Sequence, residues 1–84
     1  MNSLPQIAHG YRLQWESAQQ SHVLLYPEGM VLLNDSAAAI LQRCDGRRSI
    51  ADISAELELL CEESGLEPQV RDFLDIAQQQ GWLA

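Results

Sequence analysis

Tyr11, Leu13 and Trp15 alternate with Arg12, Gln14 and Glu16. A period of two marks a half-buried strand, because successive side chains leave a strand on opposite faces. Residues 17–21 are polar and read as a connection. His22, Val23, Leu24, Leu25 and Tyr26 are strand-prone, and Met30, Val31, Leu32 and Leu33 form a second apolar run. Between the two lies Pro27-Glu28-Gly29, in which proline fixes φ and glycine accepts a positive one. Two short apolar runs around a glycine-containing loop predict a hairpin, and three antiparallel strands are the simplest arrangement. The run 30–33 is apolar on both faces. At a sheet edge, such a strand invites pairing with another chain unless something covers it.

From Asn34 onward the period lengthens. Ala37, Ile40, Leu41 and Cys44 fall at i, i+3, i+4 and i+7, the spacing of one helix face. Asn34, Asp35 and Ser36 all suit an N-cap, and Asp45-Gly46 closes the helix. Ser49, with Asp52 three positions on, starts a second helix. Its apolar stripe is Ile50, Ile53, Leu57, Leu60 and Cys61, with Ala51, Ala55 and Leu59 as a weaker one, and Ser64-Gly65 stops it. Pro68 suits the first turn of a third helix, whose inward face is Val70, Phe73, Leu74 and Ala77. Glu67 precedes Arg71 by one helical turn, the favourable order for an ion pair. Gly81 ends this helix and leaves Trp82 and Leu83 to fold back on the core. Residues 1–10 carry no period and are interrupted by Pro5 and Gly10, so they read as a flexible tail ahead of a single domain, 11–84.

At 84 residues the chain has room for one thin core and little room for a catalytic cleft. Twelve acidic residues oppose five basic ones, all arginine, for a net charge of -7. Nucleic acid and anionic membranes both select cationic surfaces, so this balance argues against either as a partner. No apolar run approaches the roughly 20 residues of a membrane span, and the first ten residues lack a secretory-signal layout. The expected location is cytoplasmic. Cys44 and Cys61 have no metal-site spacing, and both fall on predicted apolar faces, so both are expected as buried free thiols. His9 and His22 have no partner at a spacing that suggests a triad. No metal, no organic cofactor and no intrinsic catalysis are expected.

The stretch Tyr26-Pro27-Glu28-Gly29-Met30-Val31, then Leu33-Asn34, Ser36-Ala37, Ile40-Leu41, Cys44-Asp45-Gly46 and Gly81-Trp82-Leu83 resembles the PqqD family of pyrroloquinoline quinone (PQQ) biosynthesis proteins. The resemblance runs from about Tyr11 to the end of the chain. It implies an α+β, winged-helix-like fold of three antiparallel strands followed by three helices. It also implies a recognition element for ribosomally made, modified peptides, a peptide chaperone. The ligand would be the precursor peptide PqqA, held between the third strand and the third helix. The enzyme partner would be the radical S-adenosylmethionine (SAM) protein PqqE.

The residues read alone agree, because an exposed edge strand presents unpaired backbone donors and acceptors to which an extended peptide adds. The expected peptide-binding residues are Met30, Val31, Leu32 and Leu33 on the strand and Arg71, Leu74, Asp75 and Gln78 on the third helix. That flank of the helix is preferred over Asp72, Ile76 and Gln80 because Arg71 could pair with a peptide carboxylate. A DNA-binding reading of the winged-helix layout fails on the acidic second helix. An acyl- or peptidyl-carrier reading would use Ser36, which follows Asp35 as a prosthetic-group serine does, but strand-like sequence precedes it where a carrier needs a helix. Short connections around the apolar strand also predict a monomer that forms a strand-exchanged homodimer at high concentration.

Overall fold

The computed structural model describes residues 4–84. Strands β1 (Arg12–Glu16), β2 (Ser21–Tyr26) and β3 (Gly29–Leu32) are followed by helices α1 (Asp35–Gln42), α2 (Ile50–Cys61) and α3 (Glu67–Gln79). The sheet is antiparallel throughout, in the order β1-β2-β3, so β1 and β3 are both edges. The fold is α+β, with the strand and helix order that the pattern predicts.

The central strand supplies the floor of the core. Leu24 is fully buried and belongs to one core cluster with Leu41 of α1, Ile53 of α2 and Val70 of α3. Each such side chain contributes about 1.5–3 kcal/mol on burial. The helix starts follow the sequence closely. The Asn34 side chain accepts a hydrogen bond from the Ala37 N–H at 2.8 Å, so Asn34 is the N-cap and Ser36 sits in the first turn. Ser49 and Asp52 form a reciprocal capping box at α2. Helix α2 ends earlier than Ser64-Gly65 suggests, at a left-handed Glu62 (φ 55°). Leu57 is its last buried residue; Leu60 and Cys61 are exposed, and Cys61 lines an open cavity beside the last turn. The expectation of two buried cysteines therefore holds for Cys44 alone.

The N-terminal segment also departs from its expected form. Residues 1–3 of the predicted tail lie outside the described residues, but Pro5 to Ala8 are tied into the domain. Ile7 and Ala8 donate backbone hydrogen bonds to the Cys44 and Trp82 carbonyls, while Gly46 and Ala84 donate to the carbonyls of Pro5 and Gln6. The segment thus lies between the α1–α2 turn and the C-terminal residues. Gly46 has φ +78°, and a Cβ there would stand 2.9 Å from the Gln6 side-chain oxygen. The positive φ favours glycine, and a larger residue would also have to displace the end of the Gln6 side chain.

Candidate functional site

The hydrogen-bond phase of β3 follows from one bond. Leu33 donates its N–H to the His22 carbonyl at 3.0 Å, and the register pairs Leu24 with Val31 and Tyr26 with Gly29. Hydrogen-bonded and non-bonded pairs alternate in an antiparallel ladder. Val31 therefore points its N–H and C=O inward at β2, and Met30 and Leu32 point theirs away. Those four backbone groups form the free edge, and none is bonded among the described residues. Side chains alternate in the other sense. Val31 is half-buried on the helix side of the sheet beside Leu24, whereas Met30 (45% exposed) and Leu32 (59%) stand on the opposite, open face. The other edge differs: β1 sets Arg12, Gln14 and Glu16 along its open face. Charged side chains of that kind discourage strand addition.

Helix α3 has two flanks, and the structure separates them. Gln69, Val70 and Phe73 share a cavity of about 350 Å³ with Asn34 and Ser36, the residues that continue from β3 into α1. Ile76, 52% exposed, lies one turn beyond Phe73 on the same flank. Leu74, Asp75 and Gln78 instead line a smaller cleft with Leu4, Pro5, Ile50, Leu83 and Ala84. Arg71 pairs with Glu67 at 2.7 Å in solvent. The flank preferred from sequence is thus the one turned away from the β3–α1 junction. The inward face of a helix is legible in its period, but the neighbour on each side depends on how the chain returns. Of the expected residues, Met30, Val31, Leu32 and Leu33 are grouped; Arg71, Asp75 and Gln78 lie elsewhere, and Leu74 is buried. Phe73, packed at 6.4 Å on Trp82, and Gln69 are the α3 residues that share the cavity with Asn34 and Ser36. Phe73 was legible only as part of the predicted inward face, and Gln69 carried no signal in the sequence.

The charged groups mostly brace the fold. Glu56 accepts from Arg43 at 3.1 Å and from Arg48 at 2.7 Å, and Arg48 also reaches Asp45 at 3.2 Å. These contacts clamp the end of α1 to α2 through the intervening turn. The backbone N–H of Arg47 and then the Arg48 charge hold the Asp45 carboxyl below its usual range. Burial, with the Asp45 charge added, pushes the Cys44 thiol up to about 11. Among the described residues, no group of three or more His, Cys, Asp or Glu is placed to hold a metal ion, and no helix is long and apolar enough to cross a membrane. Ser36 is exposed at the cavity mouth.

A family model described as Coenzyme PQQ synthesis protein D (PqqD) matches residues 21–83. The chain belongs to the PqqD family. A PqqD relative from Azotobacter vinelandii, named a PqqA binding protein, is 56% identical over 84 residues, covering 99% of this chain and 91% of the relative. One of the same name from Klebsiella pneumoniae is 55% identical over 82 residues, covering 96% and 89%. The solution structure of the PqqD part of Methylobacterium extorquens PqqCD, described as a stand-alone recognition element for ribosomally synthesised and modified peptides, superposes with a TM-score of 0.81. It is 29% identical, with 96% of this chain and 88% of that one covered. PqqD from Xanthomonas campestris superposes at 0.63 with 33% identity, covering 99% and 94%.

Proposed function

We propose that this chain is a peptide chaperone of PQQ biosynthesis, a binding protein and not an enzyme. It takes the PqqA precursor peptide as a fourth strand on β3 and presents it to the radical SAM enzyme PqqE. The observation that carries the reading is the free edge of β3, four unpaired backbone groups of Met30 and Leu32 on an apolar strand. An added strand satisfies those groups, and its alternate side chains turn toward α3 or toward the open face. The names of the relatives supply the ligand.

Ribosomal precursors are made in the cytoplasm, and we place the chain there. Its net charge of -7 leaves nucleic acid and membrane surfaces out of its partners. The protein works as a monomer that forms a strand-exchanged homodimer only when concentrated. Titration of PqqA peptide into isotopically labelled protein tests the reading. The amides of Met30 and Leu32 are expected to shift most, with slowed hydrogen exchange. Shifts confined to β1 or α2 would remove the proposed site, and transfer of the bound peptide to PqqE is read separately, as turnover with and without the chain.

A further inference from the structure

Helix α3 closes on Gly81, whose φ of +83° lets the chain fold back on the helix. The Gly81 N–H donates to the Gln78 carbonyl at 3.1 Å and the Trp82 N–H to the Ala77 carbonyl at 3.0 Å. This left-handed stop is commonly accompanied by an apolar contact back onto the last turns. Here the Trp82 ring packs on Phe73, and Phe73 lines the cavity at the β3–α1 junction. The helix stop holds Trp82 through its N–H alone. Its carbonyl is taken from elsewhere, by the Ala8 N–H at 2.8 Å. The same segment bridges Ile7 to Leu83 and accepts from the Ala84 N–H at the Gln6 carbonyl. It is itself anchored on the α1–α2 turn, where Ile7 donates to Cys44, Pro5 accepts from Gly46 and the Ile7 side chain packs on the core. Pro5 lies with Asp75 and Gln78, on the flank of α3 turned away from β3.

We propose that residues 5–8 are a positioning strap for the peptide site. By fixing Trp82 through its carbonyl they hold Phe73 in place, and so raise peptide affinity from the opposite flank of α3 without touching the peptide. The proposal rests on the edge-strand reading above. A side chain that is already held loses less freedom when a ligand arrives, so more of the contact appears as affinity. Without the strap, the segment after Gly81 keeps only the bonds of the helix stop, and a segment with few partners opens locally at low cost.

Two substitutions release the strap by different means. Ala8→Pro deletes the donor to Trp82, and Ile7→Ala removes the side chain that seats the segment. Both should move the Trp82 indole resonance of the free protein and weaken PqqA peptide about three- to tenfold by calorimetry. The peptide should still shift the Met30 and Leu32 amides. Trp82→Ala should weaken binding to a similar degree, and Trp82→Phe, which keeps a ring on Phe73, should stay within about twofold of the native protein. In a Phe73→Leu background neither strap substitution should weaken binding further, because a group that acts only through Phe73 has nothing left to act on. Additive losses in that background would overturn the proposal, since they would mean a general loss of stability. Native affinity in both strap variants would overturn it as well, as would an unmoved Trp82 resonance in both. Absence of the Met30 and Leu32 shifts in the native protein would instead overturn the edge reading and, with it, the claim on affinity.

Discussion

Met30 and Leu32 differ from Val31 in where their amides point, and proline separates the two cases. Proline lacks an N–H, and sheets accept it on an edge strand where that N–H would face outward. Leu32→Pro should keep the fold and lose one bond to the peptide, lowering affinity about two- to tenfold by calorimetry. Val31→Pro instead breaks the ladder to Leu24 and leaves a buried carbonyl unpaired, a cost of about 1–3 kcal/mol, visible as a lower melting temperature without peptide. Equal effects of the two substitutions would mean that the phase of the edge has been misassigned. Cys44 gives a second residue-scale test. Its thiol is raised from 9.0 to about 11 in the fold, so the native state holds that proton more tightly than the unfolded chain. The associated stability is complete below the unfolded value and is lost as pH climbs toward the folded one. Thermal melts across the alkaline range should show this fall in the native protein and a shallower one in Cys44→Ala.

Elements were legible in the sequence to different depths. The strands, the capping residues Asn34 and Ser49, and the inward faces of the helices up to Leu57 of α2 followed from local period and side-chain chemistry, whereas Leu60 and Cys61 of the predicted α2 stripe are exposed. What α3 faces on either side did not follow, because that is set by contacts between elements distant in sequence. Arg71 drew attention as an isolated cation, yet it spends its charge on Glu67 in solvent. Arg71→Ala and Asp75→Ala should therefore leave peptide affinity unchanged within about twofold, as surface ion pairs contribute little. Ile76→Glu, on the flank with Phe73, should weaken binding several-fold while leaving the far-ultraviolet circular dichroism unchanged. The docking of residues 5–8 was hidden for another reason. Its bonds run between backbone groups, so no side-chain period announces it, and Gly46 read only as the residue that closes α1. Gly46→Ala must force a positive φ on alanine and displace Gln6, and should lower stability by about 1 kcal/mol or more in urea unfolding.

At the scale of the whole molecule, two properties oppose one another. The β3 edge is short, apolar and unpaired, so a second copy of the chain competes with peptide for the same backbone groups. The turn at Pro27-Glu28 and the junction at Leu33-Asn34 are both short, which favours exchange of strands between protomers into a closed two-fold dimer. Against this, each chain carries a net charge of -7, and two like-charged chains repel at low ionic strength. Salt shortens the range of that repulsion to about 8 Å at physiological strength and less above it, but leaves the backbone bonds of an edge largely untouched. Sedimentation velocity should accordingly show monomer at low concentration and low salt. A growing dimer fraction is expected as either is raised. Saturating PqqA peptide should return the population to a one-to-one complex by mass action, because a ligand that binds only the monomer draws the equilibrium toward it. If the dimer persists at saturating peptide, the dimer interface and the peptide edge are separate surfaces, and β3 is not what joins the two copies.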